Sequence, residues 1–343
     1  MDRPTPRRLC LIPDVPGHAG PAAFQSRLAM GMKQRGVDVT FDTSDPKLDA
    51  VLVNGGTRQL RRLRRLMARG LPVIQRLDGM NWIHRKRPTG AAHFVRAELN
   101  NLNLRLIRGR FSHGQVYQSQ FSKAWWSRAV GPGNKPDWVV YNGVPLDVYA
   151  PGPGGSSPGD RIRLAVIEGR LAGGYEVGLD WAMDLAAGLG RESHQPVELV
   201  IAGMAQPDVI PAPPGDRVDV RWLGEVAPEA IPELDRSCHL LFSADLHPAC
   251  PNSVIEAMAC GLPVVAYDTG ALPEIVLGDA GRLAAYGSDP WRVEAPDSAA
   301  LLDAAHSVLA DDVRFRAGAR QRAEQAFGLE RMVDGYMTAL GWM

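Results

Sequence analysis

Short β-branched runs alternate with longer amphipathic stretches along nearly the whole chain, and the alternation is interrupted only once. In the first half, Leu9–Pro13, Val37–Phe41, Ala50–Asn54, Pro72–Arg76, Gln115–Gln118 and Trp138–Tyr141 read as strands. Ala22–Arg35, Arg58–Arg69, Ala91–Arg110 and Ser122–Arg128 read as helices between them. A Pro/Gly/Ser segment, Pro151–Gly159, breaks the pattern. It then restarts with strands at Arg163–Ile167, Val197–Ala202, Val218–Leu223, His239–Ser243 and Val264–Tyr267, and helices at Gly178–Leu189, Glu229–Arg236, Ser253–Cys260 and Asp297–Ala310. Val313–Ala326 and Glu330–Leu340 form a helical tail. Strands separated by helix-length crossovers pair in parallel, because a parallel connection must span the length of the sheet. The expected class is therefore α/β, with two Rossmann-like doubly wound domains: residues 1–150, residues 160–325, and a tail of 326–343.

A length of 343 residues with 45% hydrophobic content suffices for two such cores. No apolar run reaches the ~20 residues of a membrane span. The first apolar stretch, Leu9–Ile12, is too short for a signal peptide and reads as a strand. Four cysteines without a C-x-x-C pair read as reduced, buried thiols, so a cytoplasmic protein without a metal site is expected. The formal net charge is zero, but residues 1–150 hold 24 Lys+Arg against 10 Asp+Glu, and the remainder reverses the balance. Such asymmetry suits an anionic partner for the first half, or attraction between the halves. Arg58, Arg61, Arg62, Arg64, Arg65 and Arg69 share one helix with Leu60, Leu63, Leu66 and Met67 on its other face. This is either an ordinary surface helix or a contact with an anionic membrane at the inner face. Nucleic acid is disfavoured, because no binding motif or aromatic platform accompanies the charge. Trp125 and Trp126 read as core residues or as acceptor contacts.

In open α/β sheets, ligands bind beyond the carboxyl ends of the strands, with anions against helix N-termini. Gly17–Gly20, Gly169–Gly174 and Pro251–Ser253 all fall at strand-to-helix turns. None is a G-x-G-x-x-G after the first strand, which disfavours a dinucleotide dehydrogenase. Ser253 to Glu256 fits a capping box, with Ser253 at the N-cap and Glu256 reaching back to its amide.

Four stretches in order carry a family resemblance: VVYNGVPLDVYAPG (139–152), EGRLAGGYEVGL (168–179), HPACPNSVIEAMACGLPVVA (247–266) and DTGALPEIV (268–276). Together they resemble glycosyltransferase family 4, retaining sugar transferases of the GT-B fold. The resemblance implies two domains facing across a cleft, a last helix crossing back to the first domain, and transfer of a sugar from a nucleotide-sugar donor, UDP- or GDP-linked. The acceptor would be a glycan, a lipid-linked molecule or a small molecule. No metal or other cofactor is expected, so fixed positive charge and backbone amides must neutralise the leaving diphosphate. Arg170 is the matching charge. Glu256 matches the glutamate that holds the donor ribose, a role suited to a carboxylate because it accepts two hydroxyl protons side by side. Asn252, Ser253 and Val254 would meet the donor through their amides. Gly17 and Gly20 match the loop that approaches the donor phosphate, and Glu274 lies in the counterpart of the family's GG-x-PE turn.

Two positions depart from the pattern. The family's first glutamate falls on Pro248, leaving His247, then Asp245, as nearest polar substitutes. The family's phosphate-binding lysine falls on Tyr175. Asp78, at the end of the strand Pro72–Arg76, is the candidate to take an acceptor proton or to position the donor sugar, or it is simply a turn former before Gly79. Arg76 and His84 are weaker candidates. The departures also leave open a nucleotide-sugar-binding partner protein without activity, or a GT-B epimerase.

Overall fold

The computed structural model describes residues 6–17, 20–152, 159–171, 176–205 and 213–343, the side chains of Arg170 and Ala205 excepted. Contacts divide the chain into two compact units. One comprises Met1–Trp82, Gly90–Gly143 and Leu329–Met343; the other comprises Ile83–Thr89 and Val144–Gly328.

The N-terminal unit is built on a parallel six-stranded sheet of order β2-β1-β3-β4-β5-β6. Its strands are β1 (Arg8–Ile12), β2 (Asp38–Thr40), β3 (Ala50–Asn54), β4 (Val73–Leu77), β5 (Gly114–Tyr117) and β6 (Asp137–Val139). Helices α1 (Pro21–Gln34), α2 (Leu60–Ala68), α3 (Ala91–Arg110) and α4 (Gln120–Val130) connect them. Strand alternation decides which helix covers which face. Leu9, Leu11, Ala50, Leu52, Ile74 and Val116 point to the side of α1, where Phe24, Leu28 and Met32 meet them. Cys10, Ile12, Val51, Val53 and Val73 point to the other side, against Leu63 and Leu66 of α2 and Ile107 of α3. The chain's last helix (Leu329–Ala339) packs with α1, and the rings of Tyr336 and Phe24 lie 5.3 Å apart. Trp125 and Trp126 are both buried in α4. The Trp126 indole donates to the Asp78 carbonyl at 2.7 Å and so pins the end of β4.

The second unit repeats the plan with a parallel sheet of order β12-β11-β10-β7-β8-β9. It comprises β7 (Ile162–Leu171), α5 (Val177–Glu192), β8 (Val197–Ala205), β9 (Val218–Gly224), α6 (Ile231–Arg236), β10 (Leu240–Phe242), α7 (Asn252–Ala259), β11 (Val264–Tyr267), α8 (Leu272–Ile275), β12 (Gly281–Ala284), α9 (Ser298–Leu309) and α10 (Asp312–Ala326). Its central strands are buried on both faces, as expected of a parallel sheet covered by helices.

The chain passes between the units at 82/83, 89/90, 143/144 and 328/329. The expected division after residue 150 rested on the Pro/Gly/Ser segment, whose residues 153–158 lie outside the described residues. The chain is already captured by the second unit before that segment. The Val144 amide donates to the Phe327 carbonyl at 2.9 Å, and Arg320 donates to the carbonyls of Leu146 and Tyr149. Several elements differ from expectation. The edge strand β12, Gly-Arg-Leu-Ala, lacks the β-branched run that marks β11, and α8 is too short for an amphipathic repeat. The helix expected from Glu229 opens instead as a 3-10 turn (Pro228–Ala230), with Pro232 in the first turn of α6.

Candidate functional site

The second sheet reverses its winding direction between β7 and β10, its central neighbours. Chain ends leaving those two strands diverge to opposite sides, and the crevice between them is where ligands of open α/β sheets bind. Glu168-Gly169-Arg170, near the end of β7, and the loop following β10, Ser243 to Pro251, stand at this point. Helix α5 begins just beyond β7. A side chain at Gly178 in its first turn would overlap the Ala244 carbonyl, so the absence of a Cβ lets α5 approach the loop. Gly178→Ala is expected to cost about 1–3 kcal/mol through overpacking against backbone. Gly188→Ala on the same helix should cost less, because the Leu302 side chain facing it can shift. Denaturant midpoints of the two variants measure the contrast, and equal costs would remove the close approach as its cause.

The loop carries unusual conformations. His247 adopts a left-handed backbone, φ 68°, and its ring lies stacked on Trp291 with centroids 3.8 Å apart. The side chain is buried by this packing. Gly270, φ 60°, fits beneath the loop where a Cβ would fall 2.6 Å from the Pro248 ring, and the Ala271 amide donates to the Pro248 carbonyl at 2.8 Å. The turn after β11 thus clamps the loop after β10. Glu274 follows in α8, half-buried, with its carbonyl held by Arg322 of α10 at 2.9 Å.

Helix α7 corrects the capping-box expectation. It opens at Asn252 with Pro251 in the N-cap position and no side-chain cap. Pro251 has φ −70°, an angle its ring enforces, so the helix starts before Ser253 can cap it. Ser253 and Val254 therefore lie inside the first turn, whose amides face no intrahelical carbonyl. The Val254 side chain is core, so only its backbone is available to a ligand. Glu256 sits a turn further along, 8% exposed, beyond capping range.

Behind Glu256 lies Asp235 of α6, fully buried beside the Cys260 thiol. Its carboxyl is held well above the usual range, first by burial and then by the neighbouring Glu256. A second carboxyl pair occupies the winding reversal. Burial pushes both Glu168 and Asp245 up, and the nearby Asp245 reinforces the effect on Glu168, whose Oε1 has no hydrogen-bond partner among the described residues. Neither Glu168 nor Asp235 is prominent in the sequence. The available signals were a carboxylate at the end of an otherwise apolar strand, and an acid one turn after Ile231 on the apolar face of a short helix. The Arg170 side chain and Tyr175 lie outside the described residues.

Asp78, Gly17 and Gly20 belong to the other unit. Gly17 and Gly20 both have positive φ, 99° and 51°, with Gly20 leading directly into Pro21 of α1. Asp78 follows β4; burial raises its carboxyl pKa, and Arg76 opposes that rise. Arg76 is itself buried over the Phe24 ring and donates to Asn54 and Asn142, which makes it a brace between strand ends. Among the described residues, no group of three His, Cys, Asp or Glu side chains is placed to hold a metal ion.

Residues 163–311, which contain the whole constellation from Glu168 to Glu274, match the family described as Glycosyl transferases group 1. The solved structure of sucrose-phosphate synthase from Thermosynechococcus elongatus superposes with a TM-score of 0.72, at 15% identity, over 97% of this chain and 98% of that one. The chain has the GT-B fold of glycosyltransferases. Anabaena Alr3699/HepE, solved with UDP and glucose, shares this GT-B fold at a TM-score of 0.69 and 16% identity, over 98% of this chain and 100% of that one. O-antigen chain mannosyltransferase B of Escherichia coli is 37% identical over 76 residues, a match spanning 22% of this chain and 19% of the relative.

Proposed function

We propose that this GT-B chain is a retaining, family 4-like hexosyltransferase that moves a sugar from a UDP- or GDP-linked donor to a glycan or lipid-linked acceptor without a metal ion. The observation that carries the reading is Glu256. It is a nearly buried carboxylate on α7, without a capping role, in the segment that matches the Glycosyl transferases group 1 family. A carboxylate accepts two hydroxyl protons side by side, which suits it to the adjacent hydroxyls of a ribose. The first-turn amides of α7 and the Arg170 guanidinium are assigned to the diphosphate, where they stabilise the charge that develops as the sugar leaves. Glu168 and Asp245 take the hydroxyls of the transferred sugar, in place of the glutamate that Pro248 displaces. As protonated or shared carboxyls they can both donate and accept. His247, packed on Trp291, shapes that loop and offers its ring to the same sugar. Asp78 is assigned the acceptor hydroxyl's proton. The UDP-bound neighbour and the O-antigen mannosyltransferase relative support a nucleotide-sugar donor and a polysaccharide product.

A thermal-shift panel of UDP-, GDP-, ADP- and dTDP-sugars in a chelator tests the reading. Saturating donor at about 100 times Kd stabilises the native state by roughly 2.7 kcal/mol. One nucleotide class is expected to raise Tm; the absence of any shift would overturn the donor assignment.

A further inference from the structure

Helix α3 buries one face in the fold and carries a row of apolar side chains on the other. Ala97, Asn101, Leu104 and Arg108, spaced by four, three and four residues, are buried. Val95, Leu99, Leu102 and Leu106 repeat that spacing on the opposite side of the helix. Val95 is 57% exposed and Leu99 and Leu102 are each 60% exposed, with Phe94 exposed beside them. A single exposed leucine needs no explanation, but a row along a helix normally occupied by polar side chains does.

The stripe has a basic border. At about 100° per residue, Arg96 and Arg110 fall on one flank and Arg105 on the other, with Glu98 the one acid of the helix. Helix α2 covers the same face of the same sheet, since Leu63, Leu66 and Ile107 share one cluster, and Asn103 of α3 donates to the Thr57 carbonyl just before α2. Arg58, Arg61, Arg64 and Arg65 are exposed there, and α2 contains no acid. Arg62 is instead tied to Thr43, and Arg69 to the Pro46 carbonyl. The expected membrane contact through α2 alone would have had charge without anchors; α3 supplies the apolar row.

We propose that α2 and α3 together form a docking surface for an anionic lipid bilayer, with α3 lying in the interface so that Val95, Leu99 and Leu102 enter the acyl boundary and the arginines meet headgroup phosphates. A second copy of the chain fits this face poorly, because two-fold pairing would set arginine-rich flanks against each other. Nucleic acid would leave the leucine row unused. The inference concerns attachment alone and does not depend on sugar transfer.

Co-sedimentation of the full chain with vesicles of phosphatidylcholine, with or without one-third phosphatidylglycerol, tests it. Binding is expected only with phosphatidylglycerol, falling as salt rises. The Leu99→Ser/Leu102→Ser double variant should bind about tenfold more weakly or less, at unchanged charge and unchanged Tm. Arg61→Glu/Arg64→Glu should abolish the preference for anionic lipid. Vesicle binding that ignores both double variants overturns the proposal. So does failure to bind vesicles, whether or not the chain forms a dimer that the leucine substitutions dissociate.

Discussion

Glu256→Ala is expected to weaken nucleotide-sugar binding by about a hundredfold or more. Each hydrogen bond from a ribose hydroxyl to a carboxylate is worth about 1.5–3 kcal/mol once desolvated, and two are lost together. Calorimetric titration measures the loss directly, without turnover. Glu256→Gln should fall between the two, since the amide keeps the shape and one acceptor but loses the charge. The fold should tolerate either change. The negative neighbour that helps to raise the Asp235 carboxyl disappears, and α7 does not depend on Glu256 for its cap. A variant that keeps its Tm and loses the nucleotide therefore reports on the ligand and not on the helix. Undiminished affinity would remove Glu256 from the site.

Most of the architecture was legible because parallel α/β sheets announce themselves. Val264–Tyr267 and Ala91–Arg110 occur with the bounds their patterns imply. The misreadings have local causes. A capping box and a helix opening two residues earlier look alike in S-V-I-E, and the Pro251 backbone decides between them. The division of the chain looked like a Pro/Gly hinge, yet Arg320, remote in sequence, had already bound the preceding residues. The site was legible in part for the same reason. Turns follow from local chemistry, so the Gly17–Gly20 turn ahead of α1 could be placed. Pairings of distant carboxylates follow from which strands adjoin, and a single sequence does not state that β7 lies beside β10. Glu168 and Asp245 thus became a pair only in the fold. The second face of α3 was hidden differently, because Asn101 and Arg108 on its buried side and leucines on its outer side leave no clear amphipathic signal.

That carboxyl pair makes the second large prediction, on stability against pH. Burial raises Glu168 from the ordinary glutamate value to about 8, with Asp245 as the secondary cause. A carboxyl raised in the folded state keeps its proton where the unfolded chain has released it. The native state therefore binds more protons between about pH 4.5 and about 8, and stability falls as pH rises through that window, by about 1.4 kcal/mol per pH unit for one proton. Below the window the contribution is complete; above it the contribution is lost. Glu168→Gln cannot release a proton, so its unfolding free energy should decline less steeply and gain on the wild type with every unit of pH. Asp245 is raised by burial in its own right, so part of the slope should persist in that variant and vanish only in Glu168→Gln/Asp245→Asn. Denaturant titrations from about pH 5 to about pH 9 give the slopes. Parallel curves for wild type and Glu168→Gln/Asp245→Asn would show that the buried pair holds no extra proton. A converging pair of curves would carry a consequence for the donor. If protonated carboxyls grip the sugar, affinity for nucleotide sugar should decline across the same window while affinity for the free nucleotide does not, and that difference separates the sugar contact from the ribose contact made by Glu256.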